Sequence, residues 1–433
     1  MSMTVQNYPN IGETLYCCEL ENGLRLLVIP KPGFSSYFAV FGTNYGGAMR
    51  RFTLDGETVD TPAGVAHFLE HKMFDLPDGD NALSLLSENG ADANAFTSSA
   101  VTCYHFRCTD KFEENLRLLL HFVSTPYFTP ETVQKEQGII AQEIQMGDDS
   151  PGSAIYYDLL KLLYAHHPIR DKVAGTVESI AEITDETLYA CHKVFYAPSN
   201  MVLCVEGDVD PERIREIAEE MLPKERASVP HADFGEPEGP LPCEVRKEVR
   251  MPVRAPQFLI GAKVKDTGSS AEEILRGRLT GSMALRLLLG SSSPFYTRLY
   301  ADGTLNRDFD FEIDTAAGTA TALIGGESPD PDAVLEALKR EAAGLKNAGF
   351  APEYFERTRK AAIGGRLRGL EDFDDVCVSM AMSTMEGYCS FDAMEMLGSI
   401  TKEACEAWIA ENLAPEKLAI SIVLPIGKDD LGA

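Results

Sequence analysis

The sequence predicts an α+β protein made of two homologous α/β-sandwich domains, each an antiparallel-rich sheet with helices packed on it. Short β-rich runs alternate with amphipathic helical patterns along the chain. A segment rich in proline and charge interrupts this alternation at residues 223–256. Parts of the first half also match the second half after a shift of 222 residues. We therefore expect an N-terminal domain at 1–222, a linker at 223–256 and a C-terminal domain at 257–433.

The first half begins with a predicted β-hairpin. Residues 14–31 hold two β-rich runs around Asn22-Gly23, a dipeptide typical of two-residue hairpin turns. Apolar residues then take helical spacing in GVAHFLEHKMFD, residues 64–75. Further strands are predicted at 35–47, 93–108 and 200–209, and further helices at 110–128, 130–149, 153–168, 183–196 and 210–224.

The second half repeats the alternation, with a strand at 258–264, an apolar helix running to about residue 290 and a strand pair at 308–326. After the 222-residue shift, YFTPETVQKEQGIIAQE lies against GFAPEYFERTRKAAIGG, so that Pro130 meets Pro352. The same shift sets HFLEH against LGSSS at 289–293, and Glu143 against Gly365. We therefore expect two copies of one unit, with a polar cluster in the first copy only.

The composition excludes several classes of partner. With 67 acidic and 39 basic side chains, the formal net charge is -28, which argues against binding to nucleic acid or to a membrane surface. No apolar run approaches the length of about 20 residues that a membrane helix needs. The ten cysteines form no CxxC pair, and the first residues lack the pattern of a signal peptide, so a reduced cytoplasmic protein is expected.

The stretch HFLEH contains the candidate metal ligands and the candidate general base. His67 and His71 are four residues apart, so on a helix both imidazoles face one side and can hold one zinc ion. Glu70 is on the neighbouring edge of that side, within reach of a metal-bound water. The order H-x-x-E-H matches an inverted zinc peptidase motif. The alternative is a pair of core histidines on a half-apolar helix.

A catalytic zinc needs a third protein ligand, and the predicted helix from Pro130 to Met146 offers Glu131, Glu136 and Glu143. Glu136 and Glu143 are seven residues apart, about two helical turns, so they share one stripe. One of them can bind the metal while the other supports a histidine.

HFLEH, followed 72 residues after His71 by Glu143 in KEQGIIAQE, resembles the pitrilysin/insulinase family of zinc peptidases. The run HFLEHKMFD is most similar to a bacterial subgroup that resembles the mitochondrial processing peptidase. ENGLRLLV, NAFTSSAVTCYHF and YAPSNMVLCVEGDVD extend the resemblance over almost the whole chain. It implies one Zn²⁺ per chain, held by His67, His71 and Glu143. It also implies that Glu70 is the general base and that Glu136 supports a metal ligand. Asn94, Ala95 and Phe96 are expected to contact the substrate.

The second half departs from the family pattern. The family supplies an arginine and a tyrosine, seven residues apart, after a turn rich in glycine and serine. Here LGSSSPFYTRLYADGTLNRDF places Tyr300 at the arginine position and Asn306 near the tyrosine position. We expect Arg298 and Tyr300 to contact substrate, with Arg307 and Tyr296 as alternatives.

Taken with the motif, the resemblance implies a zinc endopeptidase that hydrolyses peptides or unfolded polypeptide segments in an enclosed chamber. Because the family builds one chamber from two pairs of such units, a homodimer or a heterodimer with a related chain is expected. The alternative is a weakly active or inactive peptide-binding scaffold subunit of a heteromeric peptidase. The departures at Tyr300 and Asn306 favour this alternative, whereas the complete metal set opposes it.

Overall fold

The computed structural model describes residues 3–265 and 270–427. Contacts between residues divide the chain into two compact units, and neither is continuous in sequence. Unit 1 comprises the chain up to Ile144, Asp171–Phe234 and Leu367–Phe391. Unit 2 comprises Gln145–Arg170, Gly235–Arg366 and the chain from Asp392 onward. Each unit is a sheet covered by helices, so the predicted α+β class with two α/β units is confirmed.

The strands are β1 (Thr4–Tyr8), β2 (Glu13–Glu19), β3 (Arg25–Pro30), β4 (Tyr37–Thr43), β5 (Arg51–Leu54), β6 (Glu57–Asp60), β7 (Asp92–Thr97), β8 (Thr102–Cys108), β9 (Met201–Gly207), β10 (His231–Ala232), β11 (Arg246–Met251), β12 (Gln257–Lys263), β13 (Asp310–Ala316), β14 (Thr319–Glu327) and β15 (Ala419–Pro425). The short strand β10 and the strand β11 lie inside the segment that the sequence predicts as a linker.

The helices are α1 (Val65–Lys72), α2 (Ala82–Glu88), α3 (Phe112–Ser124), α4 (Pro130–Asp148), α5 (Pro151–Leu163), α6 (Val177–Ile180), α7 (Asp185–Phe195), α8 (Pro211–Met221), α9 (Ala271–Leu289), α10 (Pro294–Ala301), α11 (Pro331–Ala348), α12 (Pro352–Gly369), α13 (Phe373–Met385), α14 (Ala393–Ser399) and α15 (Lys402–Asn412). None of the helices in the described ranges combines the length and the apolar character that crossing a membrane would require.

The main sheet of unit 1 has the order β1-β2-β3-β9-β4-β8-β7. Its strands β3 and β9 pair in parallel, and the other neighbours are antiparallel. Both faces of the sheet are covered. Along β9, Leu203 and Val205 pack beneath α1, α3 and α7, whereas Val202 and Cys204 pack beneath α13. This burial on two sides explains why β9 is almost continuously apolar.

The sheet of unit 2 has the order β11-β15-β12-β14-β13, with β11 and β15 parallel. It repeats the segment β3-β9-β4-β8-β7 of unit 1 strand for strand, so the structure contains the internal repeat that the sequence predicts. Helix α5 packs on one face of this sheet through Leu159 and Leu163. A Cβ atom at Gly261 of β12 would lie only 2.7 Å from Leu159, so glycine permits this close packing.

The hairpin of β2 and β3 is present, with Glu19 opposite Arg25. Its turn differs from the two-residue turn that Asn22-Gly23 suggests. The Leu20 amide donates to the Leu24 carbonyl at 2.8 Å, so the loop has three residues, and Gly23 takes a φ of 89°. The Asn22 side chain donates to the Pro223 carbonyl at 2.8 Å and accepts from the Leu24 amide at 3.1 Å, which holds this longer loop in place.

The 222-residue shift holds at α4 and α12, which begin at Pro130 and Pro352. The same shift also predicts that residues 67–71 correspond to residues 289–293, and this prediction is wrong. Helix α9 ends at Leu289, whereas His67 and His71 lie inside α1. The connections between strands and helices differ in length between the two units, so one fixed shift cannot align every element.

Candidate metal centre

Helix α1 presents the two histidines from a well-anchored position. It begins after Gly64, whose φ of 97° favours glycine, and a Cβ atom there would lie 2.6 Å from the Ala174 carbonyl oxygen. Phe68 and Leu69 are fully buried in the core of unit 1. The same helix therefore turns His67 and His71 toward another side, where their ring centroids are 4.6 Å apart.

Helix α4 supplies the carboxylates. Its residues Val133, Ile140 and Ile144 are buried and hold the helix against unit 1. The Gln137 amide donates to the carbonyls of Ile180 and Ile183 at 3.2 and 3.1 Å, which fixes the rotation of the helix. As predicted from their spacing, Glu136 and Glu143 both face α1, whereas Glu131 is exposed at the first turn.

Three side chains that could ligate a metal ion converge between these helices. One ligand atom from each of His67, His71 and Glu143 lies within 4.8 Å of the others. The Nε2 atoms of His67 and His71 are each 3.5 Å from a different oxygen of Glu143. Charge-assisted hydrogen bonds are shorter, about 2.7–2.9 Å. Two ligands of one tetrahedral zinc lie about 3.3–3.4 Å apart, so the spacing and the donor types fit zinc.

Glu136 orients the second histidine. Its Oε1 lies 3.0 Å from His71 Nδ1, which leaves Nε2 of the same ring toward Glu143. Burial lowers the pKa of His71, but the bond to Glu136 and the charges of Glu136, Glu143 and Glu70 outweigh it and raise that pKa. The pKa of Glu143 is lowered by its contact with His67 first, and then by the charge of His71. The cluster therefore favours ionised carboxylates.

His67 is held differently from His71. Its side chain is 11% exposed, and in the described part of the chain its buried Nδ1 has no hydrogen-bond partner. Among the described residues no carboxylate therefore contacts Nδ1 of this ring, whereas Glu136 contacts Nδ1 of His71.

Glu70 is held by a residue that the sequence analysis did not single out. The Thr97 hydroxyl donates to Glu70 Oε2 at 2.6 Å. Thr97 Oγ1 also lies 3.1 Å from Thr102 Oγ1, and Thr102 donates to the Tyr45 carbonyl at 2.9 Å. The alternation of side chains along β7 could have indicated that Thr97 faces α1. Ala93 and Ala95 face the core beneath α1, so the polar Thr97 faces the same side.

The predicted substrate-contacting residues fall on two elements. Asn94, Ala95 and Phe96 lie on β7, which ends the sheet and pairs with β8 alone among the described strands. Arg298 and Tyr300 lie on α10 of unit 2. Arg298 forms an ion pair of 3.2 Å with Glu341, and Tyr300 is 42% exposed and stacks on Tyr296. The role of each in substrate binding stays a prediction.

Two family models match the chain. The model described as "Insulinase (Peptidase family M16)" matches residues 56–177, a range that contains the whole His67–His71–Glu143 cluster. The model described as "Peptidase M16 inactive domain" matches residues 182–362. The first match thus covers the metal donors, and the second covers most of unit 2.

Individual relatives agree with these matches. YmfH of Bacillus subtilis, described as an uncharacterized zinc protease, is 38% identical over 426 residues, which are 96% of this chain and 98% of the relative. A crystal structure described as an M16-like peptidase from Alicyclobacillus acidocaldarius is 32% identical, with a TM-score of 0.91, over 97% of this chain and 100% of that one. A Helicobacter pylori protease shares the fold at 17% identity, with a TM-score of 0.79 over 95% and 99% of the two chains.

Proposed function

Because the chain belongs to the insulinase family of peptidases, family M16, we propose that it is a zinc-dependent endopeptidase. The observation that carries this proposal is the convergence of His67, His71 and Glu143 with a spacing suited to one tetrahedral ion. Glu136 behind His71 and Glu70 beside it supply the ligand support and the general base that such an enzyme needs.

Zinc held by these three residues would polarise the scissile carbonyl and lower the pKa of a water molecule. Glu70 acts as the general base and later returns the proton to the leaving amine. The hydrogen bond from Thr97 holds the Glu70 carboxylate in one orientation and leaves its Oε1 available for proton transfer. Glu136 keeps the His71 ring in the orientation that leaves Nε2 toward Glu143, where it would be available to hold the zinc.

The substrate is an extended peptide that pairs with β7. This strand ends the sheet of unit 1, so the backbone groups on its outer edge can bind another strand. Such pairing uses main-chain hydrogen bonds, which every peptide offers, and predicts broad specificity for peptides or unfolded segments. Asn94, Ala95 and Phe96 would contact that peptide directly.

A second candidate function is a peptide-binding scaffold subunit without hydrolytic activity. The presence of Tyr300 and Asn306 where the family pattern has an arginine and a tyrosine favours it. The complete metal set favours the peptidase, because a scaffold has no physical need for a general base next to a pair of zinc-ligating histidines.

The proposal also covers assembly and location. A second chain, identical or related, closes a chamber around the substrate, because this chain supplies only one pair of α/β units. The cytoplasm is the proposed compartment, since the ten cysteines, all within the described ranges, form no disulfide and a reducing environment keeps cysteines in the thiol form.

The test measures zinc content and cleavage of an unfolded polypeptide by the purified full chain, before and after treatment with a chelator. We expect one zinc per chain, and cleavage that the chelator abolishes and added zinc restores. Glu143→Gln should lose both zinc and cleavage, whereas Glu131→Gln on the exposed first turn of α4 should keep both. Bound zinc without cleavage, also after mixing with a related chain, would favour the scaffold. A chain that binds no zinc would contradict the proposal.

A further inference from the structure

Two threonine hydroxyls connect Glu70 to the buried interior of unit 1. Thr97 of β7 and Thr102 of β8 lie directly opposite each other in the pairing of these strands. Their Oγ1 atoms are 3.1 Å apart, and Thr97 Oγ1 is 2.6 Å from Glu70 Oε2. Thr102 is 0% exposed and lies on the side of β8 that carries the core residue Tyr104. Glu70 is therefore joined, through Thr97, to a residue that solvent does not reach.

Thr102 is itself attached to a well-fixed part of the backbone. Its hydroxyl donates to the Tyr45 carbonyl at 2.9 Å. The Tyr45 side chain is buried and stacks on Phe195, with ring centroids 3.7 Å apart. Two residues further on, the Gly47 amide donates to the Ser98 carbonyl at 2.9 Å, in the turn that joins β7 to β8. The Tyr45 carbonyl therefore gives Thr102 a fixed acceptor.

Two hydroxyl protons serve three contacts along this path. The 2.6 Å separation of Thr97 and Glu70 is typical of a hydroxyl that donates to a carboxylate, so the Thr97 proton lies on Glu70. The Thr102 proton is then shared between the Tyr45 carbonyl and Thr97 Oγ1 in a three-centre hydrogen bond. Donation to Thr97 Oγ1 fixes that oxygen and polarises its O–H group, which strengthens the bond to Glu70.

From these contacts we infer that Thr102 is a positioning residue for Glu70, which it orients through the hydroxyl of Thr97. The inference rests on the proposed function, in which Glu70 is the general base. Within the described residues Thr102 contacts neither Glu70 nor a metal donor. Its loss should therefore lower kcat and leave zinc content and KM close to those of the parent.

A purely structural role for Thr102 predicts a different result. If Thr102 served only to satisfy the Tyr45 carbonyl, its loss would lower stability without a specific effect on kcat. Thr43 offers a matched comparison, because it is also 0% exposed and lies opposite Thr102 on β4. Its hydroxyl donates to the Phe195 carbonyl at 2.5 Å. Thr43→Val therefore removes the same kind of buried bond without removing a partner of Thr97.

Steady-state cleavage of an unfolded polypeptide, with zinc analysis and thermal unfolding of the full chain, tests the inference. Thr102→Val should lower kcat about three- to tenfold, because it removes one hydrogen bond between neutral groups. Thr102→Ser should recover most of that loss, because it restores the hydroxyl. Thr43→Val should keep the parent kcat, although its melting temperature should fall as that of Thr102→Val does.

A double-mutant cycle then separates action through Thr97 from a general effect on the sheet. If Thr102 acts only through Thr97, the variant with both Thr97→Val and Thr102→Val should have the kcat of Thr97→Val alone. Losses that multiply would overturn the inference. An equal loss of kcat in Thr43→Val, or no recovery in Thr102→Ser, would also overturn it.

A crystal structure of Thr102→Val tests the same inference without any need for activity. The Thr97 hydroxyl should be turned away from Glu70 or occupy more than one rotamer. If Thr97 kept its single contact with Glu70, Thr102 would not be a positioning residue. A parent chain that fails to cleave peptide would instead contradict the proposed function, and the two failures can therefore be told apart.

Discussion

The Thr97 hydroxyl donates a hydrogen bond of 2.6 Å to Glu70, which joins the last residue of strand β7 to the carboxylate beside the two histidines. Glu70 is therefore fixed relative to the strand on which a peptide would lie. A general base must be positioned against both the attacking water and the substrate carbonyl. Through this bond, strand β7 would help to position Glu70 against both the attacking water and the substrate carbonyl.

Replacement of Glu70 by glutamine tests its role as the base. Glutamine keeps the size of the side chain and can still accept the bond from Thr97, but it cannot take up a proton at neutral pH. We expect kcat to fall about 10²- to 10⁴-fold with one zinc still bound per chain. Peptide cleavage and metal analysis measure the two quantities. Unchanged turnover would remove Glu70 from the mechanism, and loss of zinc would make it a ligand instead.

Replacement of Thr97 by valine removes the hydroxyl and keeps the branched shape. A hydrogen bond to a charged group is worth about 1.5–3 kcal/mol, so we expect kcat to fall at least about tenfold with little change in KM or zinc content. Thr97→Ser should recover most of the activity, because it restores the donor. If valine and serine lowered kcat equally, packing on β7 rather than the hydrogen bond would explain the loss.

Much of this site could be predicted from the sequence, because its key relations are local. His67 and His71 share a helical side by spacing alone, and so do Glu136 and Glu143. The assignment of Glu143 to the metal and Glu136 to His71 follows from the family resemblance and stays a prediction; the structure places Glu136 against Nδ1 and Glu143 near Nε2 of His71. The partner of Glu70 could not be predicted, because the contact with Thr97 depends on how β7 and α1 pack.

The placement of two helices also could not be predicted from the sequence, because it depends on how distant elements pack. Helices α5 and α13 both have buried apolar residues, and the sequence indicates helical structure for residues 153–168. Hydrophobic periodicity predicts which side of a helix is buried, but not the sheet that covers it. In the structure α5 belongs to unit 2 and α13 to unit 1, so neither unit follows the chain order.

Replacement of Glu136 by glutamine should weaken zinc binding about 10- to 100-fold, because the ring of His71 loses its charged partner. The pH dependence should change as well. The raised pKa of His71 means that protons compete with zinc, so affinity in the parent falls as the pH drops through that pKa. Without the Glu136 charge the pKa of His71 is lower, and this competition should begin at a lower pH.

Competition with a chromogenic chelator between about pH 5.5 and about pH 8 measures both effects. Glu131→Gln is the matched control on the same helix and should follow the parent curve. Parallel curves for Glu136→Gln and the parent would mean that Glu136 does not set the protonation of His71.

A buried carboxylate in unit 1 should make stability depend on pH. Glu206 of β9 is fully buried beneath α13, and its Oε1 lies 3.1 Å from Lys31 Nζ, which also contacts Glu13 at 2.5 Å. Burial raises the pKa of Glu206 from 4.5 to about 7, despite the opposing charge of Lys31. The Cys377 thiol, 3.7 Å away, provides its other polar contact.

The direction in which stability changes with pH follows from the number of protons bound by the folded and the unfolded chain. Between pH 4.5 and about 7 the folded chain keeps a proton on Glu206 that the unfolded chain has lost, so stability falls as the pH rises through this range. The loss amounts to about 3 kcal/mol at most and is complete above the folded pKa. Glu206→Gln should remove this slope and raise the melting temperature relative to the parent at about pH 8, since Lys31 keeps Glu13 as its partner.

Thermal unfolding of the parent and variant from about pH 5 to about pH 8, with chelator present, measures the difference between the two slopes. Glu13→Gln is the matched control, because it removes the other carboxylate of Lys31 but leaves Glu206 able to titrate, so its slope should persist. If Glu206→Gln gave a curve parallel to that of the parent, another group would be responsible for the pH dependence. A lower melting temperature at all pH values would mean that the ionised carboxylate stabilises the packing of α13 on β9.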